Sequence, residues 1–374
     1  MSIDLTQMPK LGFGLMRLPT QDGTIDHEEL CRMVDAYMNA GLNYFDTAYV
    51  YHGGNSERAA KTALVERYPR DSFMLATKLP AWEIHKAEDV DRIFNEQLER
   101  CGVDYFDFYL LHSVEDGNVA TYEQYDCFSW GLQKKAEGKI RHFGFSFHGS
   151  PELLESFLDR HPETEFVQIQ LNYLDWENPV VQSGKLHEIL HSRGIPMIIM
   201  EPVKGGTLAS LTPELEAKYK AVRPNDSVAS WALRFVASLP GVMTILSGMS
   251  TEEQMADNIG TFESFEPLSE QEKALVGEVT RTMMNVEQIG CTACRYCTDG
   301  CPMGISIPDV FRAVNTMKLY NEEFRPKNFY NGLVSAGRTA RAGECIQCGQ
   351  CESVCPQHLP IIRLLQEASA KLDA

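Results

Sequence analysis

From the N-terminus to about residue 265, short and nearly continuous apolar runs alternate with longer stretches whose apolar residues recur every three to four positions. The short runs are 42-LNYFDTA-48, 73-FMLATKL-79, 105-YFDFYLLH-112, 141-RHFGFSFH-148, 166-FVQIQLNY-173, 196-PMIIMEPV-203 and 242-VMTILSG-248. Such runs suit strands covered on both faces, as in a parallel sheet. Between them, 27-HEELCRMVDAYMNAG-41, 89-DVDRIFNEQLERCG-102 and 226-DSVASWALRFVASL-239 carry the helical period, the last behind an Asn-Asp-Ser cap signal. The alternation predicts repeated βα units. Seven clear strands and a weak eighth at 262-FESF-265 predict an α/β fold, a (β/α)8 barrel, for which ~250 residues is typical. The tripeptide 12-GFG-14 reads as a turn in an N-terminal hairpin. No G-x-G-x-x-G follows the first strand, which argues against a doubly wound open sheet. The charged, helix-prone segment 266–290 reads as a helical connector between a domain at 1–265 and a second at 291–374, where 308-PDVFRAVNTMKLYNEEF-324 is again helical in pattern.

Composition narrows the partners. Of 374 residues, 44% are hydrophobic and 23% charged, as in soluble globular proteins. Lys plus Arg number 34 against 52 Asp plus Glu, a net charge of -18 that repels phosphate backbones, so neither nucleic acid nor an anionic membrane is expected as a partner. The longest apolar runs, such as 194-GIPMIIM-200, fall short of the ~18 residues of a membrane span, and MSIDLTQMPK lacks the features of a signal peptide; a cytoplasmic protein is expected.

Eight of the eleven cysteines form a repeat. Both 291-CTACRYCTDGCP-302 and 345-CIQCGQCESVCP-356 obey C-x2-C-x2-C-x3-C-P. Three thiolates spaced by two residues can wrap one face of an iron-sulfur cube. A zinc site usually uses two separated C-x-x-C pairs, leaving the third close cysteine surplus, and a cytoplasmic setting disfavours disulfides. This segment resembles bacterial two-cluster ferredoxin domains. The resemblance implies one [4Fe-4S] cluster on Cys291, Cys294, Cys297 and Cys355 and another on Cys345, Cys348, Cys351 and Cys301. The long helical spacer from Met303 to Glu344 is similar to that of the α-helical ferredoxin variant. Cys31, Cys101 and Cys127 stand alone and read as small buried hydrophobes.

In a parallel barrel, chemistry sits at the C-terminal ends of the strands. Asp46, Lys78 and His112 fall at successive strand ends, and Tyr51 lies in the first loop. A phenol with an ordinary pKa near ~10 exchanges protons slowly at neutrality, and the Lys78 ammonium is expected to lower it for Tyr51. Asp46 would hold Lys78, and His112 would orient a substrate oxygen. With D-T-A-x-x-Y ending at Tyr51, A-T-K ending at Lys78, L-L-H ending at His112, G-F-S ending at Ser146, Gln168 in Q-I-Q-L-N-Y, E-P-V-K-G-G through Gly206 and Asn258 in E-E-Q-M-A-D-N, residues 10–265 resemble the aldo/keto reductase family.

The resemblance implies a TIM barrel, hydride from NADPH or NADH, a carbonyl or alcohol substrate, and the tetrad Asp46, Tyr51, Lys78 and His112. It also implies a cofactor contact set of Ser146, Gln168, Met200, Gly205, Gly206, Gly248, Gln254 and Asn258. The chain departs from the family at several positions. Met200 and Phe147 stand where many members have a tyrosine that stacks on the nicotinamide and an asparagine that binds its carboxamide, and Gly248 and Gln254 stand where NADPH-preferring members carry basic residues. Lys204 would add charge to the pyrophosphate site or stand as a solvated loop lysine.

Nicotinamide moves electrons in pairs and clusters move them singly. An alternative is therefore a flavin-containing reductase fed through the clusters by a one-electron carrier protein; another is a redox-sensing binding protein. Trp82, Trp130 and Trp176 in the strand-end loops suggest an apolar pocket, better suited to a ring-bearing carbonyl than to a sugar phosphate.

Overall fold

The computed structural model describes residues 5–178, 181–263, 265–291, 295–320, 323–355 and 357–373, with the backbone alone at Thr6, Asp299, Tyr320, Phe324 and Arg325. Eight parallel strands close into a barrel: β1 Leu11–Gly14, β2 Tyr44–Asp46, β3 Met74–Pro80, β4 Phe106–Val114, β5 Ile140–Phe147, β6 Val167–Gln170, β7 Met197–Met200 and β8 Val242–Ser247. Each strand pairs with the next in sequence, and β1 closes the ring against β8 through Leu11↔Ile245 and Phe13↔Ser247. The fold class is the one expected.

One strand is misplaced by the sequence pattern. The eighth stave is Leu11–Gly14, not 262–265. Phe262 and Glu263 end the helix Glu252–Glu263, and Ser264 lies outside the described residues. Phe262 and Phe265 stack at 5.8 Å and pack on the barrel core. Their spacing of three suits a helical face as well as a strand. Gly12, read as a turn residue, is a packing residue: a Cβ there would lie 2.9 Å from Leu246 and 3.0 Å from Tyr44.

The period of two sorts the strand residues. One set, including Tyr44, Met74, Ala76, Phe108, Leu110, Phe166 and Ile198, fills the barrel interior. The other, including Phe45, Leu75, Tyr109, Phe143, Phe145, Val167 and Ile199, packs outward against the helices, of which His27–Asn39, Glu88–Cys101 and Val228–Ala237 lie where the helical period put them. Ser227 caps the last of these, accepting from the Ser230 amide. Gly144 lets β5 and β6 approach, since a Cβ would fall 2.2 Å from the Phe166 carbonyl oxygen. Gly144→Ala is expected to destabilise the barrel by at least the ~1–3 kcal/mol of ordinary overpacking, read as a lower thermal midpoint.

The described chain divides into two units, Met1–Ser210 with Ala217–Val276, and Leu211–Glu216 with Gly277–Ala374. The dividing line falls inside the helix Glu270–Met284, within the segment read as a connector. The second unit is helical, with Ile307–Tyr320, Phe324–Ser335 and Ile361–Leu372 around a core of Ile305, Val310, Phe311, Tyr330, Ile361 and Leu365. Among the described residues no helix is long and apolar enough to cross a membrane.

Candidate functional site

The alternation that fills the barrel interior also makes its upper rim. Asp46, Lys78, His112, Ser146 and Gln168 continue the inward-facing sets of β2 to β6, one layer above the apolar filling. Lys78 Nζ donates to Asp46 Oδ1 at 2.5 Å and to the Thr47 carbonyl at 2.8 Å, with both ionic side chains almost wholly buried. Tyr51 opens a short helical turn after β2, its amide bonded to the Ala48 carbonyl, and its ring centroid lies 5.0 Å from Lys78 Nζ. The Tyr51 and His112 rings meet edge to face at 5.9 Å. The structure thus brings all four residues together.

His112 owes its aim to an irregularity. The β4–β5 register shifts between Leu111 and Val114, and Ser113 adopts a left-handed φ of 56°. The Ser113 amide donates to Ser146 Oγ (2.7 Å), and Asn118 Nδ2 donates to the Ser113 carbonyl (2.7 Å). Such bulges re-aim side chains beside active sites. Trp82 lies 5.1 Å from the His112 ring and belongs to the site. Trp130 bonds Asp91 and packs on Phe94, and Trp176 packs on Phe235, so these two serve the outer helical layer instead.

The electrostatics correct one expectation. Burial pushes the Tyr51 phenol up, the Lys78 ammonium pulls it down, and burial wins, leaving the pKa above its ordinary value. Burial pulls Lys78 down, but Asp46 and Tyr51 more than offset this, so Lys78 stays charged. Burial, Lys78 and His148 together hold His112 well below the usual imidazole range. It is a neutral ring, with one N–H available for donation.

A buried network behind the rim escaped the sequence reading. Glu57 Oε1 accepts from Thr77 Oγ1 (2.8 Å) and Gln97 Nε2 (3.0 Å), and the same Gln97 nitrogen donates to the Lys78 carbonyl (3.0 Å). Tyr109 donates to Gln97 Oε1 at 2.6 Å, and Arg100 reaches Glu57 Oε2 at 3.4 Å. These bonds clamp the backbone that carries Lys78. In sequence, Glu57 and Gln97 are indistinguishable from the polar residues of a solvated helix face.

In the second unit the cysteines line two small cavities. Cys291, Cys297 and Cys355 line one; Cys301, Cys345, Cys348 and Cys351 line the other. Cys294 lies outside the described residues. The repeat is structural too: Arg295 and Gly349 occupy equivalent positions, both with positive φ (65° and 79°), each starting a one-turn helix. Asp309 holds the Arg295 guanidinium with two contacts of 3.2 Å. Burial pushes the Cys351 thiol up to about 11, so a metal must displace its proton. Among the described residues, no three His, Cys, Asp or Glu side chains converge on one point closely enough for a single metal ion.

The aldo/keto reductase family pattern matches residues 10–281, most of the chain. The chain belongs to the aldo/keto reductase family. A 4Fe-4S dicluster domain matches residues 290–359 of this aldo/keto reductase. It is 27% identical over 284 residues to L-galactose dehydrogenase of Arabidopsis thaliana, spanning 71% of this chain and 88% of the plant protein. It is also 27% identical over 239 residues to the NAD/NADP-dependent indole-3-acetaldehyde reductase of Schizosaccharomyces pombe, spanning 60% of this chain and 77% of that one. An aldo-keto reductase from Klebsiella pneumoniae solved with NADPH superposes with a TM-score of 0.58 at 22% identity, covering 73% of this chain and 91% of that one. A thermostable aldo-keto reductase solved with the inhibitor epalrestat gives 0.60 at 21% identity, covering 75% and 99%. These structures share the fold, and the family makes this protein an oxidoreductase.

The sequence-derived cofactor residues of this aldo/keto reductase fall into two groups. Ser146 and Gln168 stand side by side on the rim, Gln168 Nε2 approaches Met200 Sδ at 3.5 Å, and the buried Gln168 Oε1 has no hydrogen-bond partner among the described residues. Gly205 and Gly206 hold φ of 64° and 94°, a turn that suits glycine. The others are engaged in the protein itself. Asn258 Nδ2 donates to Ser247 Oγ (2.6 Å), and Gln254 Oε1 accepts from the Ser250 amide (2.8 Å). Gly248 lies under the stem of Arg17. Lys204 is neither a free charge nor a solvated loop lysine, because its ammonium lies 2.6 Å from buried Asp175. Phe147 faces the outer core beside Phe145, away from the rim.

Proposed function

We propose that this aldo/keto reductase interconverts a carbonyl and an alcohol with hydride from NADPH or NADH, using Tyr51 as general acid and base, and carries two [4Fe-4S] clusters for electron transfer. The observation that carries the reading is the convergence of Asp46, Lys78, Tyr51 and His112 on one buried rim. A nicotinamide dinucleotide, when bound, supplies the hydride; Ser146 and Gln168, with its unpartnered buried oxygen, would hold the carboxamide end, and Gly205 and Gly206 the pyrophosphate.

The rest is done by the chain. Neutral His112 donates to the carbonyl oxygen and fixes its orientation. Tyr51 gives its proton to that oxygen as the carbon gains hydride, and the Lys78 ammonium stabilises the phenolate left behind. Asp46 holds Lys78 charged and in place. The reverse sequence oxidises an alcohol. Trp82, beside His112, favours a ring-bearing carbonyl, in keeping with the aldehyde named for the fission yeast relative.

For the clusters, the two cavities support the crossed assignment, Cys291, Cys294, Cys297 and Cys355 against Cys345, Cys348, Cys351 and Cys301, with a one-electron carrier protein as partner. One observation favours a second reading. With Phe147 turned into the core, the carboxamide loses a family partner, and a flavin would couple single electrons to pairs. Acid extraction of protein purified without oxygen separates the two: stoichiometric flavin would establish the second, and its absence is expected under the first.

Tyr51→Phe is expected to lower turnover of an aromatic aldehyde by roughly 10²–10⁴-fold while iron content and NADPH binding persist. Undiminished turnover would overturn the mechanism. Because Tyr51 stays protonated through neutrality, the wild type should reduce carbonyls at a near-constant rate from about pH 6 to 9. Alcohol oxidation, which needs the phenolate, should climb over the same range.

A further inference from the structure

The two cysteine cavities differ in charge. Arg295 lines the cavity of Cys291, Cys297 and Cys355, whereas no charged side chain among the described residues lines the cavity of Cys301, Cys345, Cys348 and Cys351. The difference arises inside the repeat itself. Arg295 stands where the second copy has Gly349, two residues before the third cysteine, and the backbone takes a positive φ at both. Glycine adopts that conformation freely, and a residue with a Cβ is strained there. The first copy therefore keeps a cation at a backbone position that disfavours it.

The guanidinium is also held in place. It donates to Ser306 Oγ (3.3 Å) as well as to both Asp309 oxygens, and the Ser306 hydroxyl fixes Asp309 in turn (2.6 Å). Ser306 precedes the helix Ile307–Tyr320 and Asp309 lies in its first turn, while Ile307 and Pro308 belong to the wall of the same cavity. The Arg295 side chain is 55% exposed. An ion pair so placed stabilises a fold very little, so stability does not account for the arginine.

On the cluster assignment proposed above, we infer that Arg295 selectively raises the reduction potential of the cluster held by Cys291, Cys294, Cys297 and Cys355. Four thiolates leave an iron-sulfur cube negatively charged, and reduction adds one electron without forming or breaking a bond. The one-electron carrier supplies that electron and is itself oxidised. A fixed cation beside the cube favours the more negative, reduced form. The uncharged wall of the other cavity gives no such bias, so an electron delivered to the pair is drawn toward the Arg295 side.

The test is a potentiometric titration of the intact, iron-loaded protein, followed by low-temperature electron paramagnetic resonance. The signal of this cluster is the one that Cys355→Ala removes. Arg295→Gly, which suits the backbone and matches the second copy, and Arg295→Gln should both keep the iron. Each should shift this cluster roughly tenfold toward its oxidised form, a midpoint about 59 mV lower, and leave the other cluster's midpoint in place. Arg295→Lys should restore part of the loss. Asp309→Asn, which leaves the guanidinium uncompensated, should move the same midpoint upward. A midpoint unchanged in both Arg295→Gly and Arg295→Gln would overturn the inference, as would equal shifts of both clusters. Wild-type protein with fewer than two cluster signals would overturn the cluster reading itself, and the inference with it.

Discussion

Lys78→Met is expected to cost both catalysis and stability. Turnover should fall by roughly 10³-fold or more, since the phenolate of Tyr51 then forms with no compensating charge. The fold suffers because Asp46 is left without its ammonium partner in an almost fully buried site, a loss of about 3–5 kcal/mol for one half of a buried ion pair. In a domain of this size that is roughly 10 °C of thermal midpoint. The pH dependence has a definite sign. In the variant, burial raises the Asp46 pKa above its unfolded value of about 3.9, so the folded state binds the extra proton. Stability is then fullest in acid and declines as the pH rises through the folded-state pKa. Asp46→Asn combined with Lys78→Met should recover most of the midpoint and none of the turnover. A double variant as unstable as the single one would show that the pair is not the source of the loss.

The second large effect concerns the crossed cysteines. Cys355→Ala alters the second copy of the repeat, yet Cys355 lines the cavity of Cys291 and Cys297. Cys301→Ala alters the first copy, yet it lines the cavity of Cys345, Cys348 and Cys351. Each variant should lose one cluster, or roughly half of the iron, and the two should lose different clusters. Low-temperature spectra of the reduced proteins should therefore show complementary signals, with the magnetic coupling between clusters absent from both. If Cys355→Ala and Cys345→Ala lose the same signal, the ligand sets follow the sequence copies and the crossed assignment fails.

What the sequence reveals depends on how local its signal is. Seven staves are long apolar runs and can be read directly. The remaining one is four residues with two glycines, and its strand character comes from neighbours supplied by β2 and β8. The tetrad is legible because Asp46, Lys78 and His112 stand at strand ends and Tyr51 follows Asp46 in the loop motif D-T-A-x-x-Y, whereas the direction of the Tyr51 pKa is not, since it depends on how completely the phenol is buried. Glu57, Gln97 and Arg100 sit on helices and show their role only when those helices turn inward. Lys204 departs from the expectation drawn from sequence: the lysine beside the two glycines is neutralised by a residue 29 positions away, and the cation beside Gly205 is Arg17, from the other end of the barrel sequence.

The two cysteine cavities set an order of events in the making of the protein. Each takes walls from both copies of the repeat, so neither exists in a nascent chain that stops short of residue 345. The barrel, by contrast, has its last stave by Ser247 and its last surrounding helix by Glu263. Under the proposed cluster assignment, iron delivery is therefore a late step of biosynthesis, made to a chain whose barrel strands are already translated. A chain released before residue 345 would carry every strand of the barrel and neither complete cysteine cavity.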